Sequence, residues 1–348
     1  NTNLKVNVPE NGKCYLKLIY HLKKEMPLLE ENHILGFDEI EVSQKDAKCQ
    51  LAEKWLEKAA TDSELQVNED DTQIHIKGRE FAYTIDRRTA LFTEMKFAGR
   101  EYLNHPMELN IWRAPTDNDM YIKAEWKKAH YDKAYTRAYT TEVVQGKHGV
   151  KIVSHASVVA ETVQKILDVT ITWKIDATGK IDADIEATKD GEFPDLPRFG
   201  VRMFLDKKLS DARYFGMGPQ ESYRDKHQAA SHGLYRANVS DLHEDYIRPQ
   251  ENGSHYDCGY VELNNSRYGM AAFSESTFSF NASYYTQEEL EKKTHNYELT
   301  ESDSVVLCVD YALNGIGSNS CGPVVLDQYR FNDVLFRFQF TLVPYVKG

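Results

Sequence analysis

The sequence predicts an all-β protein on three grounds. Short apolar–polar alternations recur along most of its 348 residues. Turn signals separate them, and helical periodicity is scarce, with no βαβ spacing. The clearest alternation runs through Leu167, Val169, Ile171, Trp173 and Ile175. It turns at Ala177-Thr178-Gly179-Lys180 and returns through Ile181, Ala183, Ile185 and Ala187. Period two with one apolar face predicts a hairpin buried on one side and wet on the other. Phe336, Phe338, Phe340 and Leu342 repeat the pattern ahead of Pro344, and shorter versions occur at Ile74 and Ile76, at Phe81, Tyr83 and Ile85, and at Phe278 and Phe280. Asn264-Asn265, Gly99-Arg100 and Asn314-Gly315 supply turns between strands.

Helical patterns are few. Gln50 to Ala60 predicts a short helix, and Lys123 to Tyr135 a second. Thr286 followed by Glu289 has the capping-box form, with the hydroxyl as N-cap and the carboxylate reaching back, so a third helix is expected to run to about His295.

Strand-like Cys14 to Tyr20 and Ile34 to Val42 precede a break near residues 45 to 68, where the first helix and the acidic run Asn68-Glu69-Asp70-Asp71 lie. So short an N-terminal piece buries too little surface to stand alone. The expected organisation is therefore residues 1–45 as part of a β domain, 46–64 as a linker with a short helix, and 65–348 as one large β domain. The first residues, Asn1-Thr2-Asn3, include neither a Met nor a signal peptide, and the chain is expected to be a piece of a longer protein.

Composition narrows the function. With 42 Lys+Arg against 54 Asp+Glu the net charge is −12, which excludes duplex nucleic acid as an expected partner because phosphate binding rests on basic side chains. No apolar run approaches the roughly 20 residues that span a bilayer, so no membrane partner is expected. The five cysteines, Cys14, Cys49, Cys258, Cys308 and Cys321, are scattered and form no CxxC, which predicts idle or buried thiols in a reducing compartment. That reading favours the cytoplasm and leaves the periplasm open. The 21 Tyr, 15 Phe and 4 Trp are read as strand packing.

Familiar catalytic motifs are missing. Gly216-Met217-Gly218 and Gly315-Ile316-Gly317 begin like phosphate loops but lack the third Gly and the βαβ setting. Asp117-Asn118-Asp119 opens like a calcium loop, yet Ile122 stands where its Gly belongs and Lys128 where its Glu belongs. His227 and His232 lie five apart and cannot share a helix face as HExxH ligands do. Three segments are nevertheless denser in polar and aromatic residues than strand packing requires: Asn110 to Asp119, Phe215 to Asp225, and Tyr246 to Gly253. Planar amides, carboxylates, a guanidinium and an aromatic suit a sugar, whose hydroxyls need paired donors and acceptors and whose C–H faces need a flat apolar surface.

The runs RAPTDND (Arg113 to Asp119), GMGPQESYRD (Gly216 to Asp225), YIRPQENG (Tyr246 to Gly253) and GIGSNSCGP (Gly315 to Pro323) occur in that order. Their spacing resembles the C-terminal domain of β-galactosidases of glycoside hydrolase family 2, the small chain of heterodimeric members. The resemblance covers about residues 65 to 348, and residues 12 to 42 look like the latter half of the immunoglobulin-like domain that precedes it in the family.

That resemblance implies a large, galactose mutarotase-like β-supersandwich preceded by part of an immunoglobulin-like sandwich. It implies a parent enzyme, oligomeric, that hydrolyses terminal β-D-galactose with retention, using one Glu as acid and a second as nucleophile. Both glutamates and the magnesium ligands belong to a (β/α)8 barrel, on a domain or large chain that this sequence lacks. No catalytic residue, metal or cofactor is therefore expected here, and the chain alone is expected to be inactive. Its share is a wall of the pocket and subunit contacts. The substrate-binding residues carried over are Arg113, Asp117, Asn118 and Asp119, with the loop around Cys321. Some members place a Trp at the Cys321 position, where it stacks on the aglycone, and some a Gly where Tyr121 stands, so aglycone preference and a lid at that point are expected to differ. The alternative is a free-standing carbohydrate-binding or aldose-1-epimerase-like protein on the same fold, with His227, His232 and Glu221 as its clustered acid and base; a module mediating only oligomer contacts is a third reading.

Overall fold

A computed structural model describes residue 8, residues 12–42, 51–52 and 65–347. The chain divides into two compact units, residues 1–57 and 58–348. In the first, Tyr15–His21 pairs antiparallel with Ile34–Glu41. Ile19, Ile34, Leu35 and Ile40 of this hairpin are exposed, and two strands with bare aliphatic side chains do not make a self-sufficient fold. Residues 51 and 52 are helical; the remainder of the helix expected over 50–60 lies outside the described residues.

The second unit is built on a twelve-stranded antiparallel sheet. Its longest path runs from Ser231–Asn238 through Asp211–Gly218, Ser254–Asn264, Tyr268–Ser283, Leu335–Val346, Ile181–Lys189, Val163–Asp176 and Gly149–Ala160 to Tyr135–Gly146. Leu103–Asn110, Arg198–Asp206 and Ser304–Leu313 form a branch. The strand Tyr268–Ser283 belongs to both: residues 268–273 pair with Leu335–Val346, and residues 279–283 with Ser304–Leu313. Between these halves a bulge sets residues 274–277 opposite the single residue Gly259, because Phe273 pairs with Tyr260 and Phe278 with Cys258. The extra residues re-aim the strand and let it change neighbours. A separate five-stranded sheet spans Gln66–Glu69 to Arg100–Glu101.

The alternating strands form because their period-two apolar faces have one place to go. Leu167, Val169, Ile171, Trp173 and Ile175 are all buried, and Ile171 pairs with Ile185 across the hairpin. Gly179 takes φ +86° in the turn, a conformation that favours glycine. Phe92 of the small sheet meets Trp173 of the large one edge to face at 5.0 Å, and Trp173 meets Phe340 at 6.4 Å. Burying each such ring contributes roughly 1.5–3 kcal/mol. The indole N–H of Trp173 is also satisfied, donating to the Ala90 carbonyl at 2.8 Å. Leu335–Val346 runs past Pro344; from Val343 on it has lost its partner in Ile181–Lys189, so the imino residue sits where one side of the strand is free.

Both other helices are shorter than expected. The first spans Ile122–Lys128, because His130 enters the left-handed region at φ 56° and Tyr131 turns into the core, its hydroxyl donating to the Pro194 carbonyl at 2.7 Å. The second spans Gln287–Lys292 and stops because the Glu298 carboxylate takes the backbone N–H groups of Thr294 and His295, both at 3.0 Å. Its N-cap is Thr286, accepting from the Glu289 N–H at 3.1 Å, but the Glu289 carboxylate accepts from Thr300 N–H.

Candidate functional site: a loop-walled polar cleft

The four runs singled out in the sequence converge. After Leu103–Asn110 the chain leaves the sheet and closes a single 3-10 turn at Asp117–Asp119, where the Asp119 carboxylate accepts the Thr116 N–H at 2.9 Å. Arg113 is fully buried behind it. Its Nη2 and Nε donate to Asp119 Oδ1 and Oδ2 at 2.7 and 3.1 Å, and its Nη1 and Nη2 donate to the carbonyls of Asn314 and Gly315 at 2.6 and 3.2 Å. The guanidinium lies 5.3 Å over the Trp126 ring. One side chain thus joins the first run to the fourth.

The fourth run is held from two further sides. Asp225, at the end of the second run, accepts the N–H groups of Ile316 and Gly317 at 2.9 and 2.7 Å. Gly317 needs its missing side chain, since φ is +68° and a Cβ would stand 2.5 Å from Val325. Asn118 Nδ2 donates to the Gly317 carbonyl at 2.7 Å, and its Oδ1 accepts the Ser320 hydroxyl at 2.7 Å. The third run closes the ring: Gln250 Oε1 accepts the Asp117 N–H at 3.1 Å, and Glu251 N–H donates to the Ala114 carbonyl at 3.0 Å.

Below this ring lies a buried charge network. Arg198 donates to Asp310 at 2.6 and 3.2 Å and to Glu251 at 3.2 Å. Burial pushes the carboxyls of Glu251 and Asp310 up from the ordinary range, and the facing guanidinium pulls them back.

A cleft of about 530 Å³ opens beside the ring, bordered among others by Asn118, Asp119, Tyr121, Glu125, Asn319 and Arg330. Arg330 is anchored on Asp195 at 2.6 Å. Three amides, carboxylates, a guanidinium and an aromatic rim give hydroxyl groups both donors and acceptors.

The expected residues therefore divide. Asn118 and Asp119 border the cleft; Arg113 is buried behind it; Asp117 is exposed and held by Gln250; Cys321 is exposed on the far arm of its loop and does not border the cleft. Tyr121 stands on the rim, 63% exposed. Asp225, Gln250, Asn314 and Asn319 are not single candidates in the sequence; three of them lie in the quoted runs and Asn314 directly before one, but nothing local marks which side chain clamps what. The histidine group of the alternative reading is dispersed over separate partners. His232 pairs with Asp257 at 2.9 Å, His227 lies 3.0 Å from the Tyr223 carbonyl, and Glu221 takes the Gly253 N–H at 2.8 Å together with Lys226 and Tyr246.

Fold and cleft together define an all-β supersandwich domain whose loops wall a polar groove. The chain belongs to the family described as beta galactosidase small chain, which matches residues 77–342. Its relatives include the β-galactosidase of Actinobacillus pleuropneumoniae, 42% identical over 98% of this chain and 33% of that protein. Those of Staphylococcus xylosus and Kluyveromyces lactis are 32% and 28% identical, over 93% and 92% of this chain and 32% and 31% of theirs. The chain thus spans about a third of the length of these relatives. Among solved structures, galactose 1-epimerase from Lactobacillus acidophilus NCFM aligns over 82% of this chain and 99% of its own at TM-score 0.44 and 8% identity, too distant to inform the chemistry.

Proposed function

We propose that this chain works as the small-chain portion of a β-galactosidase, walling the pocket that holds a terminal β-galactoside while the two glutamates of a retaining mechanism lie outside it. The observation that carries the proposal is the convergence of four separated runs on one polar cleft. Contacts spanning up to 202 residues, such as Ser320 to Asn118, lock the wall. A wall of that kind holds a substrate within the fraction of an ångström that catalysis elsewhere in the enzyme demands.

Within the proposal the residues take different roles. Arg113, Asp119 and Asp225 are positioning residues, since their polar atoms are already engaged with protein. Asn118 orders the Ser318 to Cys321 arm. Tyr121, Glu125 and Asn319 are the cleft residues whose polar side chains make no hydrogen bond to the protein among the described residues, and they are the ones we assign to sugar hydroxyls and ring faces. Cys321 offers no flat surface for an aglycone, which makes aglycone preference the property in which this protein departs from tryptophan-bearing members. The magnesium implied by the resemblance finds no donor set of three or more His, Cys, Asp or Glu among the described residues, and no step is routed through it.

The test is complementation. The purified chain alone should not hydrolyse a nitrophenyl β-galactoside. Mixed with the two thirds of the Actinobacillus relative that it does not span, it should. Turnover by the chain alone would overturn the reading.

A further inference from the structure

The buried network beneath the ring does not balance its charges. Arg113 and Asp119 neutralise each other. Arg198 donates Nε and Nη2 to the two oxygens of Asp310, at 3.2 and 2.6 Å, and neither side chain is exposed. Glu251 is left over, its side chain 3% exposed. Two guanidinium groups thus face three carboxyls.

The hydrogen bonds show which carboxyl lacks a counterion. Both Asp310 oxygens accept from Arg198, the bidentate pairing of an ionised carboxylate. Glu251 Oε2 receives a single bond, from Arg198 Nη1 at 3.2 Å. Its Oε1 is buried with no hydrogen-bond partner among the described residues. The other groups that act on Glu251 are Arg113, already paired, and Glu221 and Tyr223 of the second run. Glu221 has the same sign and is itself held by Lys226, while Tyr223 presents a buried, neutral hydroxyl. An ionised Glu251 would place a surplus charge in the core with one oxygen bare. That costs far more than leaving a neutral hydroxyl bare. Burial accordingly outweighs the two guanidinium groups and pushes this carboxyl up.

We propose that Glu251 is a positioning residue that holds a proton on Oε1 at neutral pH, and that this neutral form pins the cleft wall until alkaline pH releases it. Its N–H donates to the Ala114 carbonyl at 3.0 Å, and its neighbour Gln250 accepts the Asp117 N–H at 3.1 Å, so two bonds to the first run are anchored here. When pH rises the proton passes to solvent. The carboxylate left behind is drawn toward water and pulls on both bonds. The effect on catalysis rests on the function proposed above; the proton does not.

Infrared spectra of the full chain in heavy water test the proton directly. At pH 7 the parent should show the carbonyl band of an un-ionised carboxylic acid. Carbon-13 in the glutamate carboxyls should move that band, carbon-13 in the aspartate carboxyls should not, and Glu251→Gln should abolish it. The folded chain then keeps a proton that the unfolded chain, with its ordinary 4.5, gives up. In urea titrations from pH 5.5 to 7 the unfolding constant of the parent should therefore rise about tenfold per pH unit more steeply than that of Glu251→Gln. No band, a band that follows the aspartate label, or parallel unfolding curves overturns the proposal; if Glu251→Gln does not fold, the labelled parent decides. In the complemented enzyme the ratio of kcat/KM, Glu251→Gln over parent, should rise about tenfold from pH 6.5 to 9. A constant ratio overturns the release of the wall. Failure of complementation itself overturns the function above and leaves the band and the slopes to judge the proton.

Discussion

Arg113 and Asp119 form a bidentate pair in which neither side chain meets solvent, at 0% and 3% exposure. Such a pair costs desolvation to assemble and is costly to break singly. Asp119→Ala strands a buried guanidinium and should lower stability by roughly 3–5 kcal/mol in urea titration. Replacing both partners together, as Arg113→Met with Asp119→Leu, should cost clearly less than the sum of the single changes. Additive losses would mean that the two side chains act separately.

Asp225 holds the second run against the fourth across 91 and 92 residues. Asp225→Ala leaves the Ile316 and Gly317 amides without their acceptor and should expose residues 315–323 to limited proteolysis while global stability falls by about 1–3 kcal/mol. Mapping the first cleavage sites by mass spectrometry checks this. An unchanged cleavage pattern would show that Arg113 and Asn118 suffice to hold the loop.

His255 makes stability depend on pH. Burial, 1% exposed between Phe280 and Tyr214, brings its imidazole down to about 4 from an ordinary 6.5. The ring stays neutral in the fold, donating Nδ1–H to the Met217 carbonyl at 3.2 Å. Below pH 6.5 the unfolded chain binds a proton that the folded chain refuses. This contribution is therefore complete above pH 6.5 and lost as pH falls toward 4, by roughly 3 kcal/mol in all. His255→Phe keeps the ring and removes the titration. Unfolding free energies measured for both proteins from pH 4 to 7 should diverge in slope, the variant being flatter; parallel curves would count against the assignment.

The fold was legible where a single face carried the signal. Leu167 to Ile175 and Phe336 to Leu342 alternate so regularly that register and burial follow from period two alone. Helix ends were not legible, because what stops them is distant: the Pro194 carbonyl captures Tyr131, and Glu298 captures the backbone of Thr294. Thr286 was readable as a cap while the role of Glu289 was not, since Thr300 competes for its carboxylate. The site behaved the same way. Three of the four runs could be recognised as unusual from their residues; the resemblance added Gly315 to Pro323 and implied what they serve. That Arg113 and Asp119 neutralise each other, whereas Tyr121 and Asn319 face the cleft, depends on contacts between residues far apart in the chain. No local spacing encodes those.

The wall is tested most directly by the kcat/KM of the complemented enzyme carrying Asn118→Ala, a side chain that orders the loop through Gly317 and Ser320 without touching the buried core. The account predicts a loss of tenfold or more on a nitrophenyl β-galactoside, with the unfolding midpoint of the isolated chain within about 1 kcal/mol of the parent. Unchanged kcat/KM in a variant whose loop is demonstrably loosened would contradict the claim that this cleft walls the substrate pocket.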